Sequence, residues 1–174
     1  IQLLWLNLVT DGMQDMALSF EGAEDGIMDE YPRSPKENLF DKRLISEVLI
    51  SGLTIGSLVF LLWIYLIDIL NFEVIVARGY VMALMVFIQN MHVLNSRSET
   101  KSIFDKRLKP NKYVYFAIIS SIILQILVME VPILSSILKT NSIPAIHLIF
   151  LFLVSLTILF VMELYKIFIN KRDH

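Results

Sequence analysis

The sequence predicts an all-α membrane protein, a bundle of about five transmembrane helices. Hydrophobic residues make up 56% of the 174-residue chain, the mean hydropathy is +0.66, and only 18% of the residues are charged. Soluble domains carry about a quarter charged residues, so this composition favours a lipid environment. Several apolar stretches approach the roughly 20 residues that a helix needs to cross a bilayer. Basic residues are concentrated in alternate connectors between these stretches.

The predicted spans cover five ranges, approximately residues 1–20, 46–67, 77–95, 113–130 and 145–167. Hydropathy selects the last four. The first is a poorer candidate because Asp11 and Asp15 lie within it. Pro132 and Pro144 bracket the connector before the last span, where we expect the helices to stop.

The distribution of Lys and Arg predicts the orientation. The connectors 21–45 and 96–112 and the C-terminal tail hold thirteen of these residues, whereas the opposite side holds only Arg78 and Lys139. The positive-inside rule therefore makes both connectors cytoplasmic loops. The opening helix then runs from outside to inside, and the C-terminus is cytoplasmic.

Composition also excludes several functions. The formal net charge of −2 gives no reason to expect a nucleic-acid partner. Cysteine is absent, which excludes disulfides and thiolate metal sites. The chain begins at Ile1 without a basic flank, so we expect a piece of a longer protein rather than a signal peptide.

The opening helix carries a polar stripe. Asn7, Thr10, Asp11 and Gln14 lie at positions i, i+3, i+4 and i+7, on one helical face, and Asp15 extends that face. A carboxylate at the centre of a span costs ~3 kcal/mol on insertion scales. Amide, hydroxyl and carboxylate oxygens are hard ligands that suit Ca²⁺, Mg²⁺, Na⁺ or H⁺. Gly12 weakens the helix here and is expected to free backbone carbonyls for the same site.

Two other interpretations of the stripe stay open. In a soluble helix it would be a solvated face, which the downstream spans disfavour. In a membrane helix it would form interhelical hydrogen bonds worth ~0.6–2 kcal/mol each. Two carboxylates are more than that purpose needs, so ion binding is favoured.

Further along the chain, polar residues within the spans are expected to be structural. Ser120, Ser121 and Gln125 form a plausible set of interhelical hydrogen bonds. Glu163, near the inner end of the last span, is expected to snorkel or to pair with Lys166.

Three segments resemble the C-terminal transport region of P-type cation-transporting ATPases, most closely the calcium pumps. They read LLWLNLVTDGMQDMALSFE, IMDEYPRSPKENLF and FIQNMHVLNSRSETKSIF. The resemblance covers essentially the whole chain. It implies that residues 1–174 are the sixth to tenth helices, a fragment of a larger ten-helix membrane domain.

The resemblance also implies a set of site residues. The family's metal ligands on the sixth helix fall on Asn7, Thr10 and Asp11. Gln89 takes the place of a glutamate of the two-calcium pumps, which favours a single ion. Gln14, Asp15 and Gln89 are therefore secondary ion-site or pathway candidates. Gly52 and Gly56 form a GxxxG step, which is expected to serve internal helix packing.

The function implied is that of an ion-transport domain of an ATP-driven pump that exports Ca²⁺. ATP and Mg²⁺ would be used only by the full-length parent, since neither a DKTGT phosphorylation motif nor a PEGL motif occurs in these residues. The expected partners are the lipid bilayer, the remaining transmembrane helices and the phosphorylation domain of the parent. The expected location is a bacterial plasma membrane. The alternatives are a P-type pump for Na⁺, H⁺ or Mn²⁺, and a non-catalytic channel, secondary-transporter fragment or regulatory remnant.

Overall fold

A computed structural model of the chain describes residues 1–22, 42–98, 101–105 and 108–170. These residues form helices joined by short loops, which confirms the all-α class. The helices are α1 Gln2–Val9, α2 Asp11–Leu18, α3 Lys42–Ile64, α4 Val74–Asn95, α5 Lys112–Glu130, α6 Pro132–Leu138 and α7 Ala145–Asn170. Most of the predicted cytoplasmic loop 21–45, including its PRSPKE motif, lies outside the described residues.

Four helices in the described part of the chain are long and apolar enough to cross a membrane. They are α3 with its extension to Ile69, α4, α5 and α7. Their outer faces carry exposed large apolar side chains such as Phe60, Phe116 and Phe160, as expected of helices that meet lipid. The bundle is therefore a multi-pass membrane fold.

Helix α4 lies at the centre of the bundle. It packs against α7, α5, α3 and α1. Leu84 and Ile88 of α4 are fully buried with Leu151 and Ile158 of α7 in the main apolar core. Because most of α4 is enclosed by its neighbours, a buried polar side chain on it needs a partner within the protein.

The end of α3 is a π-helical turn. Residues Tyr65–Ile69 continue the helix with one extra residue per turn, and the Leu70 N–H donates to the Tyr65 carbonyl at 3.0 Å. Asn71 then adopts a left-handed φ of 52°, which ends the helix. Consequently α4 begins at Val74, three residues before the predicted start of its span.

The connector before α7 contains a short helix that the sequence does not predict. The long helices stop at the two prolines as expected, because α5 ends at Glu130 and α7 begins at Ala145, but Pro132 begins the short helix α6. Proline breaks a helix interior, whereas its fixed φ and missing N–H suit the first helical turn. Lys139, with a φ of 50°, ends α6 in the left-handed conformation.

Candidate functional site

The opening segment, predicted as one helix over 1–20, is divided at Thr10. Helix α1 ends at Val9 and α2 begins at Asp11, and Thr10 has φ −104° and ψ −75°. The Thr10 hydroxyl donates to the Leu6 carbonyl at 2.7 Å. This type of back-bonding to the preceding turn bends helices. The break thus falls inside the polar stripe, two residues before Gly12.

The two short helices run along α4 in the same direction and along α5 in the opposite direction. Towards the start of α1, Trp5 Nε1 donates to Gln125 Oε1 at 3.1 Å, and Gln2 Nε2 donates to the Leu138 carbonyl at 2.9 Å. Towards the end of α2, Asn111 Nδ2 donates to the Ala17 carbonyl at 3.1 Å. The break consequently lies midway along α4 and α5. The expectation that Gln125 bonds between helices is correct.

The polar stripe splits into an inner and an outer part. Thr10 and Gln14 are buried, whereas Asn7, Asp11 and Asp15 are exposed. The Thr10 hydroxyl also lies 3.3 Å from Asp11 Oδ1, so the two parts are in contact at the break. The Asn7 and Asp11 side chains are therefore exposed beside the break, whereas the Thr10 side chain is fully buried and its hydroxyl bonds to Leu6.

The inner part of the stripe joins three helices through Asn90. Gln14 Nε2 of α2 and Ser121 Oγ of α5 each donate to Asn90 Oδ1 of α4 at 2.7 Å. Asn90 and Ser121 are fully buried. The amide of Gln14, a secondary ion-site candidate, is thus already engaged in an interhelical bond. Sequence reasoning missed Asn90, although it stands beside Gln89 within an otherwise apolar helix.

Gln89 is half-buried on α4, and its Oε1 atom is buried without a hydrogen-bond donor among the described residues. A free buried amide oxygen is a suitable ligand for a hard cation. The described residues contain no group of three or more His, Asp or Glu side chains that could hold a metal. Within the described residues, the side chains beside the break offer the Asp11 carboxylate together with amide and hydroxyl oxygens.

An ion pair fixes the far end of the opening segment. Arg97, just after α4, donates from Nε and Nη2 to the two carboxylate oxygens of Glu21, at 3.1 and 2.8 Å. Asn111 Nδ2 also donates to Glu21 Oε2 at 2.8 Å. Burial alone would raise the pKa of Glu21, but the hydrogen bonds from Arg97 and Asn111 and the charge of Arg97 outweigh it and lower that pKa. The hydrogen bond to Glu21 likewise raises the pKa of Arg97.

Glu163 and Lys166 of α7 hold the first part of the loop after α4. Glu163 accepts hydrogen bonds from the Ser102 hydroxyl and, at 3.0 Å, from the Ile103 N–H. Lys166 Nζ donates to the Asn95 carbonyl at 2.8 Å and to the Lys101 carbonyl at 3.2 Å. Both side chains are buried. Glu163 thus does not snorkel; it binds this loop.

Gly52 and Gly56 do not pack against another helix within the described residues. Both are exposed on α3, and a Cβ added to either would meet nothing within 4 Å. The GxxxG face of α3 is therefore open within the described residues, and the internal packing that we expected stays a prediction for the complete membrane domain. Close approach requires a facing helix, and none of the described helices lies there.

The fold and the site define a multi-pass helical membrane protein with a broken polar helix at one edge of an apolar bundle. Residues 1–168 match the family model described as cation transporting ATPase, C-terminus. The chain therefore belongs to this family and is the membrane C-terminal domain of a cation-transporting P-type ATPase.

Three relatives illustrate the similarity. The chain is 37% identical over 143 residues to the calcium-transporting ATPase of Bacillus subtilis (strain 168), covering 82% of this chain and 16% of the relative. It is 33% identical over 177 residues to the calcium-transporting ATPase type 2C member 1 of Pongo abelii, covering 99% and 19%. It is 30% identical over 182 residues to the calcium-transporting ATPase 1 of Bacillus cereus (strain ATCC 10987 / NRS 248), covering 96% and 20%. The chain thus spans a fifth or less of the length of these relatives.

Proposed function

We propose that the chain is the ion-transport part of an ATP-driven calcium pump and that Asn7, Thr10 and Asp11 supply part of its intramembrane Ca²⁺ site. The observation that carries this proposal is the exposed Asp11 carboxylate at the break between α1 and α2. The relatives named above as calcium-transporting ATPases support the choice of cation.

The broken helix favours a cation site for a physical reason. Helix α1 ends at Val9, so the negative end of its dipole and its last carbonyls are directed towards the break. Discontinuous membrane helices use such carboxyl ends to coordinate cations. At the same point Asp11 adds a full negative charge, and Asn7 and Thr10 add neutral oxygens.

The exposure of Asp11 supports the proposal that other helices of the parent cover it in the membrane. A carboxylate facing lipid at mid-depth costs ~3 kcal/mol or more. Remaining transmembrane helices of the parent would remove this cost by closing the site and adding ligands. We assign Gln89 and Asp15 secondary roles and favour one ion per cycle, since Gln89 offers an amide where a second carboxylate would be needed.

The pumping cycle belongs to the full-length parent. We propose that ATP and Mg²⁺ act at its phosphorylation domain, that the loop 21–45 relays phosphorylation to α2, and that the site alternates between the two membrane faces. The proposed location is a bacterial plasma membrane, with the C-terminus in the cytoplasm.

The test is ATP hydrolysis by the purified full-length parent as a function of free Ca²⁺. We expect activation of the wild type at micromolar Ca²⁺, and a half-maximal concentration raised by at least about tenfold in Asp11→Asn. Asp68→Asn is the matched control: the same change at an exposed carboxylate beyond α3, where no shift is expected.

The alternative functions give different results. Activation by Na⁺, H⁺ or Mn²⁺ instead of Ca²⁺, still dependent on Asp11, would identify a pump for another cation. ATP hydrolysis indifferent to every cation and to Asp11→Asn would contradict the pump and favour the non-catalytic alternatives.

A further inference from the structure

We propose that Arg97 is a positioning residue for the ion site. By holding Glu21 at the end of the opening segment, it fixes α2 and thereby sets the affinity with which Asn7, Thr10 and Asp11 bind the transported cation. This inference rests on the proposed function. Arg97 itself would touch neither the ion nor its ligands.

The contact between Arg97 and Glu21 fixes the relative orientation of the two side chains as well as the distance between them. Two parallel hydrogen bonds join the guanidinium to both carboxylate oxygens, a geometry that a lysine ammonium cannot reproduce. The side chains of Arg97 and Glu21 are 5% and 18% exposed. Water therefore screens this pair less than it would a surface ion pair.

Arg97 is itself held in place. Its Nη2 atom also donates to the Lys109 carbonyl, so the guanidinium spans the loop between α4 and α5. Asn111, at the end of that loop, caps α5 by accepting from the Tyr113 and Val114 N–H groups at 3.0 and 3.3 Å. We call Glu21, Arg97 and Asn111 the inner clamp.

Helix α2 connects the inner clamp to the ion site, and it is short and stiff. Helix α2 has eight residues between Asp11 and Leu18, so it is about 12 Å long at 1.5 Å per residue. Asn111 binds the Ala17 carbonyl in its last turn, and Glu21 follows within three residues of its end. A shift or rotation of the C-terminal end of α2 would therefore also move Asp11 at its N-terminal end.

An ion pair of this kind is weak evidence for stability. Removing one partner of a buried pair leaves the other charge uncompensated and lowers stability, so a loss of stability does not by itself reveal a positioning role. A positioning role predicts, in addition, a change in cation affinity in variants that remain folded.

The experiment measures cation-dependent ATP hydrolysis and thermal unfolding of the full-length parent carrying Glu21→Gln, Arg97→Lys or both. In each variant we expect the half-maximal Ca²⁺ concentration to rise by about threefold or more, with most of the maximal rate retained. The double variant should shift no further than the larger single shift, because both changes break the same contact. Arg78→Gln, which alters an exposed arginine near the other end of α4, is the control.

The Ca²⁺ dependence of these variants tests the role of the inner clamp. An unchanged half-maximal Ca²⁺ concentration in a folded Glu21→Gln variant would overturn the role of the clamp, as would single shifts that multiply in the double variant. Should Arg97→Lys fail to accumulate, Glu21→Gln decides alone, since it keeps the shape of the side chain. A wild type that ignores Ca²⁺ would instead refute the proposed function, so the two failures are distinguishable.

Discussion

At the scale of single residues, the molecule depends on polar side chains whose partners are distant in sequence. Asn90 accepts from Gln14 and Ser121, which lie 76 and 31 residues away. Arg97 meets Glu21 across 76 residues. The spacing of the polar residues predicts that Gln14 shares a helical face with Asp11. No local pattern, however, reveals which distant residue is the hydrogen-bond partner of Gln14. For the same reason the sequence predicts for Arg97 only a share in the positive charge of its loop.

Replacement of Asn90 tests the buried network. Asn90→Ala leaves the Gln14 amide and the Ser121 hydroxyl without their shared acceptor, so we expect a loss of about 1–3 kcal/mol of stability. Chemical denaturation of the purified protein in detergent would measure it. Asn141→Ala, at an exposed position before α7, should change stability by less than about 0.5 kcal/mol. Equal losses of stability in Asn90→Ala and Asn141→Ala would contradict a stabilising role of the hydrogen bonds to Asn90.

Acid should weaken the inner clamp. The folded pKa of Glu21 is lowered, so its stabilisation is complete above the unfolded carboxyl value of about 4.3 and is lost as the pH falls through the lower folded value. The unfolding midpoint of the wild type should therefore exceed that of Glu21→Gln at pH 7, and the difference should narrow in acid. A difference between the two unfolding midpoints that grows as the pH falls would contradict a lowered pKa of Glu21. Glu73→Gln, at an exposed glutamate, serves as the control.

At the scale of elements, hydropathy located the long helices well and the short ones badly. The four long apolar helices occupy the ranges expected of the last four spans, because twenty apolar residues leave few alternatives. Pro132 correctly predicts the end of α5, but it does not reveal α6, because proline suits the first turn of a new helix as well as the end of an old one. The break at Thr10 was missed because it depends on a side-chain bond to Leu6. Whether the opening segment crosses the membrane as a fifth span stays a prediction.

Alanine at Gly12 tests what the break requires. A Cβ there would lie 3.6 Å from the Asn7 carbonyl oxygen, an ordinary contact, so Gly12→Ala should raise stability by about 0.5–1 kcal/mol. Gly79→Ala, inside the regular helix α4, where a Cβ would lie 3.9 Å from the Asn141 backbone nitrogen, should give a similar gain. If the site must bend during transport, only Gly12→Ala lowers the maximal rate of ATP hydrolysis. Equal maximal rates would indicate that the break is rigid in the working cycle.

At the scale of the whole molecule, the described helices leave two faces of the bundle open. One carries Asn7 and Asp11, and the other carries Gly52 and Gly56. The resemblance predicted the family correctly, and the family model covers residues 1–168. The ligand set stays a prediction, because coordination needs groups on both sides of Asp11 and the described helices cover only one.

The orientation can be tested with single cysteines, since these 174 residues contain none. In a parent whose other cysteines are replaced, Glu73→Cys before α4 should react with a membrane-impermeant maleimide in intact cells. Phe104→Cys, after α4, should react only in opened cells. Both positions are exposed, so access depends on sidedness. Labelling of both from the same side would contradict the topology that the basic residues predict.

The opening segment is tied to the bundle at both ends, by Gln2 and Trp5 near its start and by Ala17 and Glu21 near its finish. Because both ends are held, we expect the segment to change its curvature rather than slide along its neighbours, and Thr10, where the helix is already interrupted, is the place for that change. Binding of the transported ion would then change the curvature of the opening segment without moving its two ends. Spectroscopic labels at the two fastenings would keep their separation through the cycle, while one at the midpoint moved.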